Sequence, residues 1–159
     1  MTEQVTRPRF AWHELLRPIA PPKPPEDKAE KLFEAGRKVH ARLEAIIGDA
    51  ILVEREMTYR DPELPFDIAY HPDIVRQELG LGGSVETFVY EIKPLVWFLR
   101  NRTYCEAQCA GYKHFTGAQD ALFVLYWDDA QSLSVLPARR VPWEQLKAVS
   151  LRAYGEMKA

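Results

Sequence analysis

The apolar positions follow a helical repeat over residues 27–48, and the segments after it indicate strands and two further helices. In the helical part, small or apolar residues recur every three to four positions: Leu32, Gly36, Val39, Leu43 and Ile46. This spacing predicts an amphipathic helix with one buried face, capped by Asp27 and Glu30 and ended by a left-handed Gly48. A strand is predicted over residues 51–60, and the segment 61–65, which contains two prolines, ends it.

A pair of strands joined by a glycine-rich turn is the most informative feature of the pattern. Residues 73–79 and 84–93 alternate in the manner of strands, and residues 80–83 between them predict a hairpin turn. The other predicted elements are a helix over 104–115 with a Thr103–Glu106 capping box and a Thr116–Gly117 end, strands over 121–127 and 132–136, and a final helix from Pro142 to Tyr154 with Gly155 after it. The order α-β-β-β-α-β-β-α predicts an α/β fold in which a mixed sheet is flanked by helices.

Residues 1–27 differ in composition from the rest of the chain. Six of the twelve prolines fall in this segment. Proline removes backbone donors and favours polyproline II, so we expect a Pro-rich arm over 1–27 and a single domain over 28–159. Four apolar residues of the arm form a cluster: Phe10, Trp12, Leu15 and Leu16. This cluster either folds back onto the domain or docks on a partner protein or on a second copy of the chain.

The composition is that of a water-soluble protein, with 47% hydrophobic and 28% charged residues. No apolar run is long enough to span a membrane and the N-terminus lacks the apolar stretch of a signal peptide, so we expect a cytoplasmic location. The net charge of -2 argues against a protein that coats nucleic acid non-specifically. Contact with nucleic acid would have to come from local basic patches, which also occur as ordinary solvated surface: Arg100 with Arg102 and Lys113, and Arg139 with Arg140.

Charged residues are expected to meet at the open end of the hairpin. Positions 73 and 91 are equidistant from position 82 in the turn, so Asp73 should lie opposite Glu91, with the side chains within about 5 Å of each other. Glu91 and Lys93 project from the same face of their strand. Adjacent carboxylates repel unless a cation neutralises them, and a few oxygen ligands with open positions suit Mg²⁺. Lys93 could then orient or deprotonate an attacking water, or balance charge in the transition state. The alternative is an ordinary surface ion pair.

The sequence Pro72-Asp73-Ile74-Val75, followed by Tyr90-Glu91-Ile92-Lys93, resembles the defining motif of the PD-(D/E)XK nuclease superfamily. The resemblance runs over about residues 28–127 with the elements in the same order. It implies a restriction-endonuclease-like fold, Mg²⁺ or Mn²⁺ as the cofactor, DNA as the partner, and Asp73 and Glu91 as metal ligands beside a catalytic Lys93. The stretch from Tyr70 to Pro94 is also similar to TnsA-type transposon end nucleases.

Two further features resemble the RecB-like branch of that superfamily. Gln108-Cys109-Ala110-Gly111-Tyr112 matches its Q-x-x-x-Y motif, and His40 is similar to its first-helix histidine. The resemblance implies that Gln108 holds water or phosphate at the metal, that Tyr112 contacts the DNA strand, and that His40 approaches the metal. The residues alone leave the alternatives open: a polar and an aromatic residue on a half-buried helix, and a core histidine.

The chain departs from that branch in two respects. The CRISPR-associated relatives bind an iron–sulfur cluster through four cysteines, whereas this chain has only Cys105 and Cys109, so we expect no cluster and two buried thiols. A proline precedes Asp73 where the branch usually has a glycine-led aspartate, which makes Asp67 a less favoured rival. The position that mirrors Asp67 about the turn is Trp97, so the register favours Asp73.

The sequence therefore predicts a metal-dependent nuclease that hydrolyses DNA phosphodiester bonds. The alternative is a nuclease-fold binding or assembly module that acts through protein partners without catalysis. The intact set of two acids and a lysine favours the enzyme.

Overall fold

The structure is a computed structural model that describes residues 7–22, 26–47, 50–53, 55–127 and 132–158. In chain order the strands are β1 (Arg9–Ala11), β2 (Ala50–Val53), β3 (Met57–Arg60), β4 (Asp67–Tyr70), β5 (Ile74–Leu79), β6 (Val85–Pro94), β7 (Asp120–Tyr126) and β8 (Leu133–Pro137). The helices are α1 (Trp12–Leu15), α2 (Glu26–Ile47), α3 (Leu95–Arg100), α4 (Arg102–Thr116) and α5 (Trp143–Lys158), with a 3₁₀ turn at Arg17–Ile19. Within the described ranges, no helix combines the length and the apolar character that a membrane span requires.

The predicted α/β fold with a mixed sheet flanked by helices is confirmed. The main sheet has five strands in the order β2-β5-β6-β7-β8. Strands β6 and β7 run parallel, because the chain crosses over through α3 and α4 between them, and the other neighbours are antiparallel. Helix α2 packs on one face of this sheet, and α4, α5 and the N-terminal segment lie on the other.

The hairpin of β5 and β6 has the register expected from the sequence. Ile74 pairs with Tyr90 and Leu79 pairs with Val85, so the pairing is symmetric about position 82. Gly82 and Gly83 adopt φ values of 91° and 83°, a region that residues with a β-carbon disfavour. This register brings the residue before β5 opposite Glu91 on β6.

The predicted strand over 51–60 is wrong, because the segment forms two strands in different sheets. Strand β2 is at the edge of the main sheet, whereas β3 pairs with β4, which also pairs in parallel with β1. A period-two apolar pattern shows which face of a strand is buried but not that the chain changes sheets. The small sheet β1-β4-β3 and helix α3 were not predicted.

The apolar cluster near the N-terminus folds back onto the domain. Trp12, Leu15 and Leu16 are buried, and Phe10 packs edge-on against Phe66. The Trp12 indole lies over Gly111 of α4 so closely that a β-carbon there would be 2.5 Å from the ring. Its Nε1 donates a hydrogen bond to the backbone oxygen of Gln108 at 3.2 Å. Residues 1–6 and 23–25 of the predicted arm lie outside the described residues.

Helix α2 differs from its prediction at both ends. It begins at Glu26, so Asp27 lies inside the helix and is not its cap. Val39 and Leu43 are buried as expected, but Ile46, in the last turn of the helix, is 67% exposed. Gly48 and the side chain of Leu32 lie outside the described residues.

The predicted capping box of α4 is wrong. The helix begins at Arg102 with Asn101 as its N-cap residue, which makes no side-chain capping bond, so Thr103 lies inside the first turn. The Glu106 carboxylate accepts hydrogen bonds from Arg102 Nε and from the backbone N–H of Arg139 instead. The backbone of Arg139, distant in sequence, is thus the partner of Glu106 in place of the neighbouring Thr103 that the capping motif indicates.

The predicted end of α4 is confirmed, whereas the predicted end of α5 is wrong. Gly117 ends α4 with a φ of 69°, as predicted. Helix α5 begins at Trp143, one residue after Pro142, and continues through Gly155 to Lys158. Glycine costs a helix only about 1 kcal/mol relative to alanine, and packing of Met157 against the core outweighs that cost.

Candidate active site

Asp73 and Glu91 form a reciprocal pair at the open end of the hairpin. The backbone N–H of Asp73 donates to Glu91 Oε1 at 2.8 Å, and the backbone N–H of Ile92 donates to Asp73 Oδ2 at 2.7 Å. Each carboxylate is thus fixed through one oxygen by the facing strand. The second oxygens, Asp73 Oδ1 and Glu91 Oε2, remain for other ligands.

Lys93 supplies a positive charge next to this pair. Its Nζ lies 3.8 Å from Glu91 Oε2 and 5.5 Å from the centre of the Trp97 ring. Burial and the charge of Asp73 raise the pKa of Glu91 well above its usual value, and Lys93 offsets only part of that rise. Burial would lower the pKa of Lys93, but the Glu91 and Asp73 charges outweigh it, so the net pKa is raised. Two acids confined in a buried site with one cation favour the binding of further positive charge.

His40 approaches the pair from the opposite face of the sheet. It lies on α2, and its Nε2 is 3.8 Å from Asp73 Oδ1. The cleft that holds the other predicted site residues lies on the α4 face, and His40 is not among the residues that line it. The structure therefore brings His40 to Asp73 but not to the cleft.

The donor set fits a divalent cation that is only partly enclosed by protein. In the part of the chain that the structure describes, no group of three or more His, Cys, Asp or Glu residues forms a metal cage. The two oxygens of Asp73 and Glu91 that the backbone does not use are hard ligands. Mg²⁺ is commonly bound through one or two carboxylates, with waters and substrate phosphate completing the coordination.

Helix α4 forms the wall of the cleft opposite the hairpin. Gln108 Nε2 donates to the Tyr112 hydroxyl at 3.3 Å, as expected for residues one turn apart. The other end of the amide, Gln108 Oε1, is buried without a hydrogen-bond partner among the described residues. Burial, followed by the charges of Glu91 and Asp73, raises the pKa of Tyr112 well above its usual value. The wall thus presents a neutral phenol and a polar atom that lacks a partner.

The cleft has a volume of about 790 Å³ and brings five predicted residues together. These residues are Asp73, Glu91, Lys93, Gln108 and Tyr112. Several lining residues were missed: His13, Glu56, Tyr70, His71 and Tyr104. Tyr104 lies one turn before Gln108 on α4, so its spacing could have indicated it. His13 and Glu56 come from segments distant in sequence, and no local pattern points to them.

Asp67 does not line the cleft. Its carboxylate accepts hydrogen bonds from Arg60 Nε and Nη2 at 3.1 and 3.0 Å and lies 3.1 Å from Arg7 Nε. The hydrogen bonds from Arg60 are the main reason that the pKa of Asp67 is below its usual value, although burial opposes them. Asp67 therefore has a structural role in pairing β4 with its neighbours.

The two cysteines are buried thiols on α4, as predicted. Burial raises the pKa of Cys105 to about 11 and that of Cys109 well above its usual value. Since the thiolate is the nucleophile, neither residue is set up for reaction.

The fold is similar to those of solved proteins that share little sequence with this chain. The protein SSO0001 matches with a TM-score of 0.59 at 12% identity, over 97% of this chain and 77% of that chain. The alkaline exonuclease LHK-Exo from Laribacter hongkongensis matches with a TM-score of 0.56 at 14% identity, over 94% of this chain and 88% of that chain. The structure of LHK-Exo in complex with dAMP matches with a TM-score of 0.55 at 17% identity, over 92% of this chain and 77% of that chain. No protein-family model and no curated protein sequence matches this chain. The chain therefore has the mixed α/β fold of a group of solved structures that includes an alkaline exonuclease.

Proposed function

We propose that this chain is a divalent-metal-dependent nuclease of the PD-(D/E)XK type, closest to the RecB-like branch, that hydrolyses phosphodiester bonds in DNA. The observation that carries the proposal is the reciprocal Asp73–Glu91 pair, in which the facing strand fixes one oxygen of each carboxylate. Lys93 lies beside this pair within one cleft. An ordinary surface ion pair would not require the burial of Glu91, which is 3% exposed.

Asp73 and Glu91 would hold Mg²⁺ or Mn²⁺ through the oxygens that face away from the backbone donors. A bound divalent ion supplies a Lewis acid for the scissile phosphate and lowers the pKa of water. Because backbone N–H groups fix both carboxylates, they are already oriented before a ligand arrives. Such preorganisation reduces the cost of assembling the site.

Lys93 would stabilise the charge that develops on the phosphate in the transition state. Its ammonium is next to Glu91 and within the cleft, where low exposure strengthens electrostatic interactions. Gln108 would hold water or a phosphate oxygen against the pair through its amide, and Tyr112 would contact the DNA strand. His40, on the α2 side, would orient Asp73 or contribute to the metal ligands.

The proposal that DNA is the substrate draws on the resemblance of the motifs and on the fold shared with an alkaline exonuclease. A structure of that exonuclease has been solved in complex with dAMP. A cleft of about 790 Å³ lined by charged, polar and aromatic side chains has room for a nucleotide unit.

The proposal is tested by incubating the protein with linear, nicked and branched DNA in Mg²⁺ or Mn²⁺, with chelator as the control. We expect cleavage of at least one substrate that stops when the metal is chelated. If no divalent metal supports cleavage of any DNA substrate, the nuclease assignment fails, and the binding or assembly module becomes the better interpretation.

A further inference from the structure

A second cleft lies on the other side of α4 from the candidate active site. It has a volume of about 570 Å³. Its cationic side chains are Lys113 from α4 and Arg139 and Arg140 from the segment before α5, and His114 and Trp143 also line it. We name it the basic cleft. None of these residues lines the cleft that contains Asp73.

The two clefts use different faces of the same helix. Tyr104, Gln108 and Tyr112 are spaced at four residues and point to the active-site cleft. Lys113 and Gly117 have the same spacing but line the basic cleft, roughly on the opposite side of α4 at about 100° per residue. The clefts are therefore separated by about one helix diameter, on the order of 10 Å. A single extended ligand could contact both.

The basic cleft keeps its positive charge because no acid in the described part of the chain pairs with it. Among the described residues the ion pairs involve other cations, and no carboxylate of this part of the chain pairs with Lys113, Arg139 or Arg140. Glu106 is buried beside this region, but its carboxylate is occupied by Arg102 Nε at 3.3 Å and by the backbone N–H of Arg139 at 2.7 Å. Glu106 therefore holds the segment before α5 through the backbone N–H of Arg139. The Arg139 guanidinium is left to bind a ligand in the basic cleft.

Aromatic rings form a flat wall next to these cations. The His114 imidazole stacks on the Trp143 indole with ring centres 4.4 Å apart and planes inclined by 9°. Tyr59 fixes the imidazole through its hydroxyl, 3.0 Å from His114 Nε2. The Trp143 Nε1 donates to Asp61 Oδ2 at 3.3 Å, and Asp61 is not one of the lining residues. Each ring of the stack is thus held by a hydrogen bond, to Tyr59 or to Asp61.

We propose that the basic cleft binds a single-stranded segment of DNA, with its phosphates on Lys113, Arg139 and Arg140 and a base against the His114–Trp143 stack. Cationic grooves lined with aromatic rings are the usual way in which proteins hold single strands without reading sequence. The choice of DNA rests on the proposed function, and the segment bound here would belong to the same molecule that enters the active-site cleft. The basic cleft would therefore raise the affinity for long substrates without taking part in the chemistry.

The test measures binding of a fluorescent oligothymidylate in chelator across a salt series, so that it does not depend on cleavage. The variant Arg139→Gln/Arg140→Gln removes two cleft charges and keeps the Arg139 peptide N–H that Glu106 binds. The matched control Arg17→Gln/Arg152→Gln removes two exposed charges that line neither cleft. Melting temperatures confirm that both variants fold.

We expect the cleft variant to weaken oligothymidylate binding at least tenfold and to reduce the slope of log affinity against log salt by about 0.7 per charge removed. The control should bind as the wild type does. Equal losses in the two variants, unchanged binding in the cleft variant, or no binding by the wild type would each overturn the proposal. If the cleft variant shows the expected loss of binding but the wild type cleaves no DNA, the basic cleft is a DNA-binding site and the nuclease assignment is rejected.

Discussion

Replacing Glu91 with glutamine is expected to abolish stabilisation by metal while leaving the hairpin intact. The amide oxygen of glutamine can still accept the Asp73 N–H, which lies 2.8 Å from Glu91 Oε1. The substitution removes one of the two ligand charges and with it the repulsion from Asp73. It also removes the negative partner of Lys93, whose Nζ lies 3.8 Å from Glu91 Oε2. In the metal-free protein, the lost attraction to Lys93 and the lost repulsion from Asp73 largely offset each other.

The magnitude follows from the free energy of ligand binding. A metal present at a hundred times its Kd stabilises the folded state by about 2.7 kcal/mol. In a chain of 159 residues, each kcal/mol shifts the melting temperature by about 2–4 °C. The wild type should therefore melt about 5–11 °C higher in saturating Mn²⁺, and Glu91→Gln should shift by less than about 1 °C.

The assay is thermal unfolding over a Mn²⁺ titration, with chelator as the baseline. Glu78→Gln is the matched control, because Glu78 lies on the same hairpin and pairs with Arg76 at 2.7 Å, outside the cleft. That control should respond to metal as the wild type does. A full metal-induced shift in Glu91→Gln would refute the assignment of Glu91 as a ligand.

Three further predictions concern single residues. Lys93→Ala should lower cleavage by about a hundredfold or more while shifting the melting temperature by only a few degrees, and full activity in a cleavage assay would refute its catalytic role. Asp67→Asn should cost about 1 kcal/mol at neutral pH, because it weakens the charged hydrogen bonds from Arg60 Nε and Nη2. The same hydrogen bonds are the main cause of the lowered pKa of Asp67. The stabilisation that comes with this lowered pKa is fully present above the pKa of Asp67 in the unfolded chain, which is near 4. It is lost as the pH falls through the lower pKa of Asp67 in the folded protein, so the free energies of unfolding of the wild type and Asp67→Asn, measured in urea, should converge in acid. Gly111→Ala should destabilise the fold by about 1–2 kcal/mol, since its β-carbon would be 2.5 Å from the Trp12 ring and overpacking outweighs the better helix propensity; equal or higher stability in urea would contradict this.

The hairpin was predictable because its signals are local. A glycine turn and two alternating strands define the register, and the register alone brings Asp73 opposite Glu91. Likewise, the one-turn spacing of Gln108 and Tyr112 predicts that they share a helix face, and the structure places both in the cleft.

The features that escaped prediction depend on contacts between distant segments. The sequence pattern of residues 51–60 contains nothing that shows a change of sheet between β2 and β3. Glu106 fits a capping motif, yet its carboxylate binds the backbone of Arg139 across the fold. His13 enters the cleft because Trp12 docks over Gly111, a contact between segments far apart in the chain.

The central claim is tested most directly by the rate at which the wild type and Asp73→Asn cleave the same DNA under single-turnover conditions in Mn²⁺. Asp73→Asn removes a ligand charge next to Glu91, whereas Asp120→Asn removes an exposed charge at the start of β7 and is the matched control. We predict cleavage by the wild type and by Asp120→Asn, with a loss of at least about a hundredfold in Asp73→Asn. Equal rates in all three proteins would contradict the assignment of the Asp73–Glu91 pair as the catalytic metal site.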